Sequence, residues 1–420
     1  MRPGWRGAVR GNVLVLGVVS LLTDVSSEMI YPLLPVFISG LVPVSLTAIY
    51  VGLMEGVAES VSSLLKVFSG RLSDAIGKRK LLAAVGYAIS SLSRPCMALA
   101  VAGWHVVGLR FVDRVGKGIR TAPRDALISD SVDAEVRGLA FGFHRAMDNA
   151  GAVLGSASSL LVLWGFLGYA LWNVKTELPT VEEMSALRWL FGLAIVPGLF
   201  ATWALVVKVR EIAPSRAEKL RGGKAQQSRL PRRFYMFLGI VTLFTLGNSS
   251  DLFLLFYGKT RFQLSLLMMV LVWVVLHISK VSFGVPGGML SDRLGRRAVI
   301  VAGWVVYTAV YVGMAVVRRE WTFWALIIVY GAYYGLTEGA EKALVADYVK
   351  SEQRGRAYGL YHGAVGVAAL PASLVFGVFW AKLGPAIAFG IGASLAGLAA
   401  VLLMLLLATR RAGGEPGPAL

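Results

Sequence analysis

Apolar residues along the chain fall into runs of about 20, the length a helix needs to cross the hydrocarbon core of a bilayer. They centre on residues 13–38, 47–69, 80–101, 104–125, 139–168 and 186–208, and then on 234–258, 265–286, 297–317, 321–346, 355–381 and 385–408. This pattern predicts an all-α integral membrane protein with twelve transmembrane helices. The first run follows Arg2, Arg6 and Arg10 as a signal peptide would. Asp24 and Glu28 interrupt it and no small-residue cleavage site follows, so it reads as the first span.

The polar positions are patterned too. Connections on one side hold Lys78, Arg79 and Lys80; Arg137; Arg293, Arg296 and Arg297; Lys350, Arg354 and Arg356; and Arg410 with Arg411, whereas 39–47 and 102–103 on the other carry no charge. The positive-inside rule then puts both termini and the basic loops in the cytoplasm of a cell that carries the protein in its cell membrane. The longest internal polar stretch, 209–233, has eight basic residues against two acidic ones. It divides the chain into an N-terminal six-helix bundle (1–208), a basic cytoplasmic linker (209–233) and a C-terminal six-helix bundle (234–420).

Composition supports the same class. The chain is 56% hydrophobic and 16% charged, with a mean hydropathy of +0.67, while soluble domains run near 25% charged. A net charge of +18 concentrated in loops suits an anionic lipid leaflet, so the lipid bilayer and no nucleic acid is the expected partner. The single cysteine, Cys96, excludes an intramolecular disulfide and multi-cysteine metal sites.

The two halves repeat one another. "SGRLSDAIGKRKLL" at 69–82 returns 218 positions later as "GGMLSDRLGRRAVI" at 287–300. "LGVVSLLTDVSSE" at 16–28 parallels "LGIVTLFTLGNSSD" at 238–251, and "ALISDSVDAEVRGLAFG" at 126–142 parallels "ALVADYVKSEQRGRAYG" at 343–359. Matches in the same order imply duplication of a six-helix unit, a transporter architecture.

The loop residues carry a resemblance to the major facilitator superfamily. Its signature G-x-L-a-D-r-x-G-r-k is met by Gly70, Leu72, Asp74, Gly77, Lys78 and Arg79, with Ala75 where a basic residue is usual. The second copy is Gly288, Leu290, Asp292, Arg293, Gly295, Arg296 and Arg297. The resemblance covers nearly the whole chain and implies two six-helix pseudo-repeat bundles rocking about a central site. It implies a small-molecule substrate, no cofactor, a proton gradient as energy source and a carrier that works as a monomer.

The glycines permit a tight turn, and an Asp at a helix end meets the positive N-terminus of a neighbour. Asp74 and Asp292 are therefore expected to brace the outward-open state, with Lys78 or Arg79 near Asp130 and Arg296 near Asp347. A merely topogenic charged loop is the competing reading.

Ionisable residues inside spans are costly, about 2.5–3.5 kcal/mol per central charge, and so point to mechanism. Span 4 carries Arg110, Asp113, Arg114, Lys117, Arg120, Arg124 and Asp125, so it lines water or partner charges rather than lipid. Arg110, Arg114 and Lys117 share a helix face, and Asp113 is spaced to pair with Lys117. Arg114, Gly118 and Ala122 resemble the span-4 signature of proton-linked family members, in which the Arg is associated with proton coupling.

The candidate proton carriers are Asp24 and Glu28 on span 1, Glu55 and Glu59 on span 2, and Asp251 on span 7. Like charges one turn apart repel in a poorly hydrated site, and binding a proton relieves the repulsion. A static network neutralising the span-4 arginines is the alternative. His277, at the repeat position of Glu59, and Tyr31, Tyr257 and Tyr334 would line the cavity with the span-4 cations if the family arrangement holds; packing is the plainer reading of the aromatics. His144, Arg145 and Asp148 form a local cluster on span 5, and Glu338, Glu341 and Lys342 lie at the inner end of span 10. Gly355, Gly359 and Gly363 on span 11, and Gly138, Gly142 and Ala146 followed by Gly151 and Gly155 on span 5, have the spacing of close helix contacts.

No phosphate-cradling loop occurs, and His105, His144, His277 and His362 make no H-E-x-x-H site, so no enzyme is expected. A membrane-embedded enzyme or a non-transporting receptor is the minor alternative. The sequence reads as a secondary transporter, a proton-coupled antiporter exporting small organic molecules. "YPLLPVF", with Pro32 and Pro35, resembles the double-proline pattern of drug and proton exchangers, although Ser156 stands where the antiporter signature has Pro. The runner-up is a proton symporter importing an anionic metabolite, since span-4 arginines would grip carboxylate or phosphate bidentately.

Overall fold

A computed structural model describes residues 10–76, 78–132, 137–168, 171, 178–211, 229–349 and 354–412. Among them all regular structure is helical.

The predicted first span is broken. Helix α1 (Asn12–Glu28) gives way to a single 3-10 turn, Tyr31–Leu33, and then to the short α2 (Leu34–Ser39). Pro32 and Pro35 each sit in the first turn of the element they open, where a missing N–H removes no helical bond. Helices α3 (Val44–Ile76), α4 (Arg79–Cys96), α5 (Gly103–Asp130) and α6 (Arg137–Leu167) follow. Span 6 is α7 (Val181–Leu193) and α8 (Ile195–Lys208). A reciprocal Thr180–Glu183 capping box starts α7.

Span 7 is likewise broken, into α9 (Arg232–Gly247) and α10 (Leu252–Phe262), with residues 248–251 outside either helix. Helices α11 (Leu266–Leu294), α12 (Arg296–Val316), α13 (Glu320–Tyr348), α14 (Arg354–Leu383) and α15 (Pro385–Ala412) complete the chain.

Nine helical stretches among the described residues are long and apolar enough to cross a membrane. Predicted spans 3, 4 and 10 are helical as α4, α5 and α13 but lie outside that set. Charge explains α5, and tyrosines and tryptophans lower the hydropathy of α13.

The chain divides into two compact units. One comprises Met1–Lys224 with Ser250–Val274, the other Ala225–Ser249 with Val275–Leu420. The first has an aliphatic core shared by α1, α4, α5, α6 and α8, with Val13, Leu16, Ala83, Leu127, Ala140 and Leu205 buried together. The described start of the linker is tied down in this unit. Asn12 and Arg210 exchange two hydrogen bonds of 2.9 and 2.8 Å, and the Glu211 carboxylate accepts from the Arg79 and Lys80 backbone N–H groups at the open end of α4. The second unit has an aromatic core, in which Phe244 stacks on Trp304 at 4.5 Å and Tyr307 on Tyr311 at 4.1 Å.

Duplication persists in the packing of each unit. Helix α5 starts at Gly103 and α13 at Glu320, 217 positions later. A Cβ on Gly118 would meet Leu65 Cβ at 2.5 Å, and one on its counterpart Gly335 would meet Phe283 Cβ at 2.5 Å. Gly86 approaches Arg120, and its counterpart Gly303 approaches Thr337. Gly151 and Gly155 lie against α1, where a Cβ would reach Leu21 O at 2.5 Å and Val25 O at 2.7 Å. Gly359 and Gly363 meet nothing within 4 Å, so their spacing marks no helix contact. Gly138, Gly142 and Gly355 lie outside the residues whose surroundings are described.

Candidate functional site

In the first unit a buried carboxylate on α3 organises the site. Glu55 Oε1 accepts from Arg110 Nε and Nη2 of α5, both at 3.3 Å. Glu55 Oε2 accepts from the Tyr31 hydroxyl at 2.6 Å and the Ser250 hydroxyl at 3.3 Å. The Arg110 guanidinium lies 4.5 Å from the centre of the Tyr31 ring. The break in span 1 is what carries Tyr31 to this position, because a continuous helix would send residues 29–33 along the α1 axis.

Asp113 extends the network along α5. It accepts from Arg94 Nε of α4 at 3.0 Å and from Arg110 Nη1 at 3.3 Å, with Arg114 Nε at 3.9 Å. Arg94 also donates to the Thr23 carbonyl at 2.8 Å, next to Asp24. Arg120 donates to Ser90 and covers the Tyr87 ring at 4.6 Å. Glu55, Arg94, Arg110, Asp113 and Arg120 are all buried. Burial of so many charges is tolerable only with near-complete pairing, and it explains why α5 tolerates its composition. The expected Asp113–Lys117 pair gives way to Arg94, which approaches Asp113 from another helix. Lys117 and Arg114 are half-buried, and Arg114 Nε makes no hydrogen bond among the described residues.

The other proposed proton carriers divide. Glu28, half-buried, accepts from the Trp273 indole N–H at 2.7 Å, and the Trp273 ring packs on Tyr31 at 5.1 Å. Asp24 is half-buried one turn away. Its neighbour from α6 is Asp148, which accepts from Ser20 and lies 3.6 Å from His144. Glu59 is exposed and accepts a local bond from Ser63 at 3.2 Å, with Lys66 of its own helix and Lys117 and Arg114 of α5 acting on it. Asp251 is half-buried at the start of α10. His277 is half-buried on α11, four residues after Trp273.

Of the aromatic candidates, Tyr257 is buried in the first unit with its ring edge against Phe262. Tyr334, in the second unit, is half-buried under the Lys280 ammonium at 3.9 Å. That unit also holds Tyr307, Tyr311, Tyr330 and Tyr333 in mutual ring contact. The hydroxyls of Tyr307 and Tyr311 reach the span-7 break through Gly247 O at 3.0 Å and Ser249 at 2.9 Å. Glu341 is buried there too, accepting from Trp304 Nε1 at 3.0 Å and Tyr361 at 2.7 Å, both neutral donors.

At the charged loops, Arg79 is ion-paired with Asp130, and Arg296 with Asp347 at 2.6 Å. Arg296 also donates to the Ala343 carbonyl at 2.6 Å. Lys78 is exposed. Gly295 has φ +90°, a conformation that favours glycine, and caps the start of α12. Gly70, Asp74, Gly77, Gly288 and Asp292 lie outside the residues whose surroundings are described.

Four residues not singled out from the sequence prove central or unusual: Arg94, Ser250, Trp273 and Lys259. Arg94 was readable as a charge within a span. Lys259 is buried on α10 with no hydrogen-bond partner for its ammonium among the described residues, and the carboxylate acting on it is the buried Glu183. Among the described residues no cluster of three metal-ligating side chains occurs.

Comparison with known proteins gives consistent likenesses. A family model described as Major Facilitator Superfamily matches residues 16–281 and 277–419. An uncharacterized MFS-type transporter of Methanocaldococcus jannaschii is 33% identical over 401 residues, 94% of each chain. The class C tetracycline resistance protein of Escherichia coli is 32% identical over 360 residues, covering 83% of this chain and 84% of that one. A crystal structure of a D-xylose-proton symporter matches with a TM-score of 0.72 at 18% identity, over 95% of this chain and 97% of that one.

Proposed function

The chain belongs to the Major Facilitator Superfamily, and from that premise we propose that it is a proton-coupled antiporter exporting small organic molecules. It is a multi-pass membrane transporter and not an enzyme. Glu55 and Glu28, with Asp24 beside Glu28, take up a proton when the cavity opens to one side and release it to the other. The proton leaves as the cavity changes sides and Arg114 moves close to these carboxylates. The bundles 1–208 and 234–420 alternate about this site in a cell membrane, with both termini cytoplasmic and one chain per working unit. The loop pairs Arg79–Asp130 and Arg296–Asp347 act as the latch.

The observation that carries this reading is the buried Tyr31–Glu55–Arg110–Asp113–Arg94 network, which joins spans 1 to 4 by bonds of 2.6–3.3 Å. A passive scaffold would gain as much from apolar packing at lower desolvation cost. Export, rather than import, draws support from the similarity to a tetracycline resistance protein.

The test is flux in proteoliposomes under an imposed pH gradient, with labelled tetracycline and other amphipathic amines as probes. Antiport requires uptake into vesicles that are acidic inside, and collapse of uptake with an ionophore that dissipates the gradient. Gradient-independent flux, or accumulation only when the outside is acidic, contradicts it. The second result is what a symporter importing an anion requires, and the half-buried Arg114, whose Nε makes no hydrogen bond among the described residues, favours that second reading.

A further inference from the structure

Residues Ser250–Val274, which are α10 and the first part of α11, pack in the first unit, although the chain on either side of them packs in the second. Three contacts fasten this segment to α1, α3 and the turn between α1 and α2. Ser250 donates to Glu55 at 3.3 Å, Trp273 Nε1 donates to Glu28 at 2.7 Å, and the Trp273 ring rests on Tyr31 at 5.1 Å. Tyr31 in turn donates to Glu55 at 2.6 Å. Both hydrogen bonds from the segment therefore end on carboxylates already proposed to carry protons.

A hydrogen bond to an ionised carboxylate is roughly twice as strong as one to a neutral acceptor. Binding a proton removes that charge and gives the carboxyl a donor of its own. We infer that Glu28 and Glu55 are docking points as well as proton carriers: ionised, they hold residues 250–274 on the first unit, and protonated, they release them. Trp273 and Ser250 are the positioning residues that read the protonation state. Residues 248–251 belong to neither helix, so a change in the direction of α10 there breaks no helical turn. The inference rests on the proton-coupled reading above.

The charged and titratable surroundings are mixed. Glu55 faces Arg110, and Arg114 beyond it, from α5. Glu28 shares α1 with Asp24, which faces Asp148 from α6 and Lys117 and Arg120 from α5. Asp251 and His277 lie on the segment and its continuing helix.

Distance measurements between spin labels test this directly, in the full chain with Cys96→Ser, at Ser45→Cys and Gln263→Cys, two exposed positions. Between about pH 8 and about pH 5, the short-distance population should fall about fivefold or more. Glu28→Gln and Glu55→Gln should give the long distance at both pH values. Trp273→Phe, which keeps the ring and loses the N–H, should weaken docking at high pH and blunt the response, and Ser250→Ala should do so to a smaller degree. A wild-type distance unchanged by pH overturns the inference, as does a wild-type response in Trp273→Phe. Proton-driven flux beside a pH-insensitive distance sinks the docking role alone. A pH-responsive distance beside flux indifferent to a proton gradient supports docking and sinks the coupled-transport reading.

Discussion

The two units share helix crossings but not chemistry. At positions separated by 217 the first unit carries Arg94, Asp113 and Lys117, where the second carries Tyr311, Tyr330 and Tyr334. Gly86 and Gly303, and Gly118 and Gly335, keep the same close approaches in both. Duplication thus preserved the backbone contacts that allow the fold, while the residues facing the interior of each unit diverged into charge in one and aromatic hydroxyl in the other. The difference has an energetic meaning. A buried ionic network depends on every member, because a missing partner strands a charge. A tyrosine cluster is a sum of pair contacts worth about 0.5–1.5 kcal/mol each and loses one member gracefully.

Matched substitutions break or sharpen this contrast. Arg94→Ala should destabilise the purified protein by about 3–5 kcal/mol, the cost of leaving Asp113 short of its closest partner. Tyr311→Phe, at the counterpart position, should cost only about 0.5–1.5 kcal/mol for the lost bond to Ser249. Thermal unfolding in detergent compares the two, and equal losses would erase the distinction.

Carboxylates offer the next comparison. Glu55→Gln leaves Arg110 paired with Asp113 and should cost about 2–3 kcal/mol for the weakened charged hydrogen bonds, whereas Glu341→Gln keeps an acceptor for Trp304 and Tyr361 and should cost under about 1.5 kcal/mol. Lys259→Met should move the other way, raising stability by about 1–3 kcal/mol, because it removes a buried ammonium that has no hydrogen-bond partner among the described residues. A lower unfolding temperature for Lys259→Met would mean that Glu183 holds that charge productively. The smallest effect belongs to the loop of the second unit. The Arg296–Asp347 pair is 31% and 51% exposed, so Arg296→Ala should cost at most about 1 kcal/mol. The Arg79–Asp130 pair is only 7% and 15% exposed, and Arg79→Ala should cost more.

Hydropathy made most of the helices legible, because the lipid-facing positions of a span are apolar. The breaks in spans 1 and 7 were half legible: Pro32 and Pro35 signal the first, and Asn248–Ser250 mark the second only once the repeat is aligned. Arg94 escaped notice because one charge barely changes the mean of a 20-residue run. Local spacing misled where a distant helix offered a better partner, as when Arg94 took Asp113 from Lys117. The contacts of Glu28 with Trp273 and of Glu55 with Ser250 span 245 and 195 positions, and no local pattern encodes them.

Gradient-driven transport and counterflow measured side by side in proteoliposomes test the proton-coupling role of Glu55 most directly. In Glu55→Gln, exchange of labelled for unlabelled substrate should persist while accumulation driven by a pH gradient is lost. Accumulation that remains as steeply dependent on the gradient as in the wild type would contradict proton coupling through Glu55.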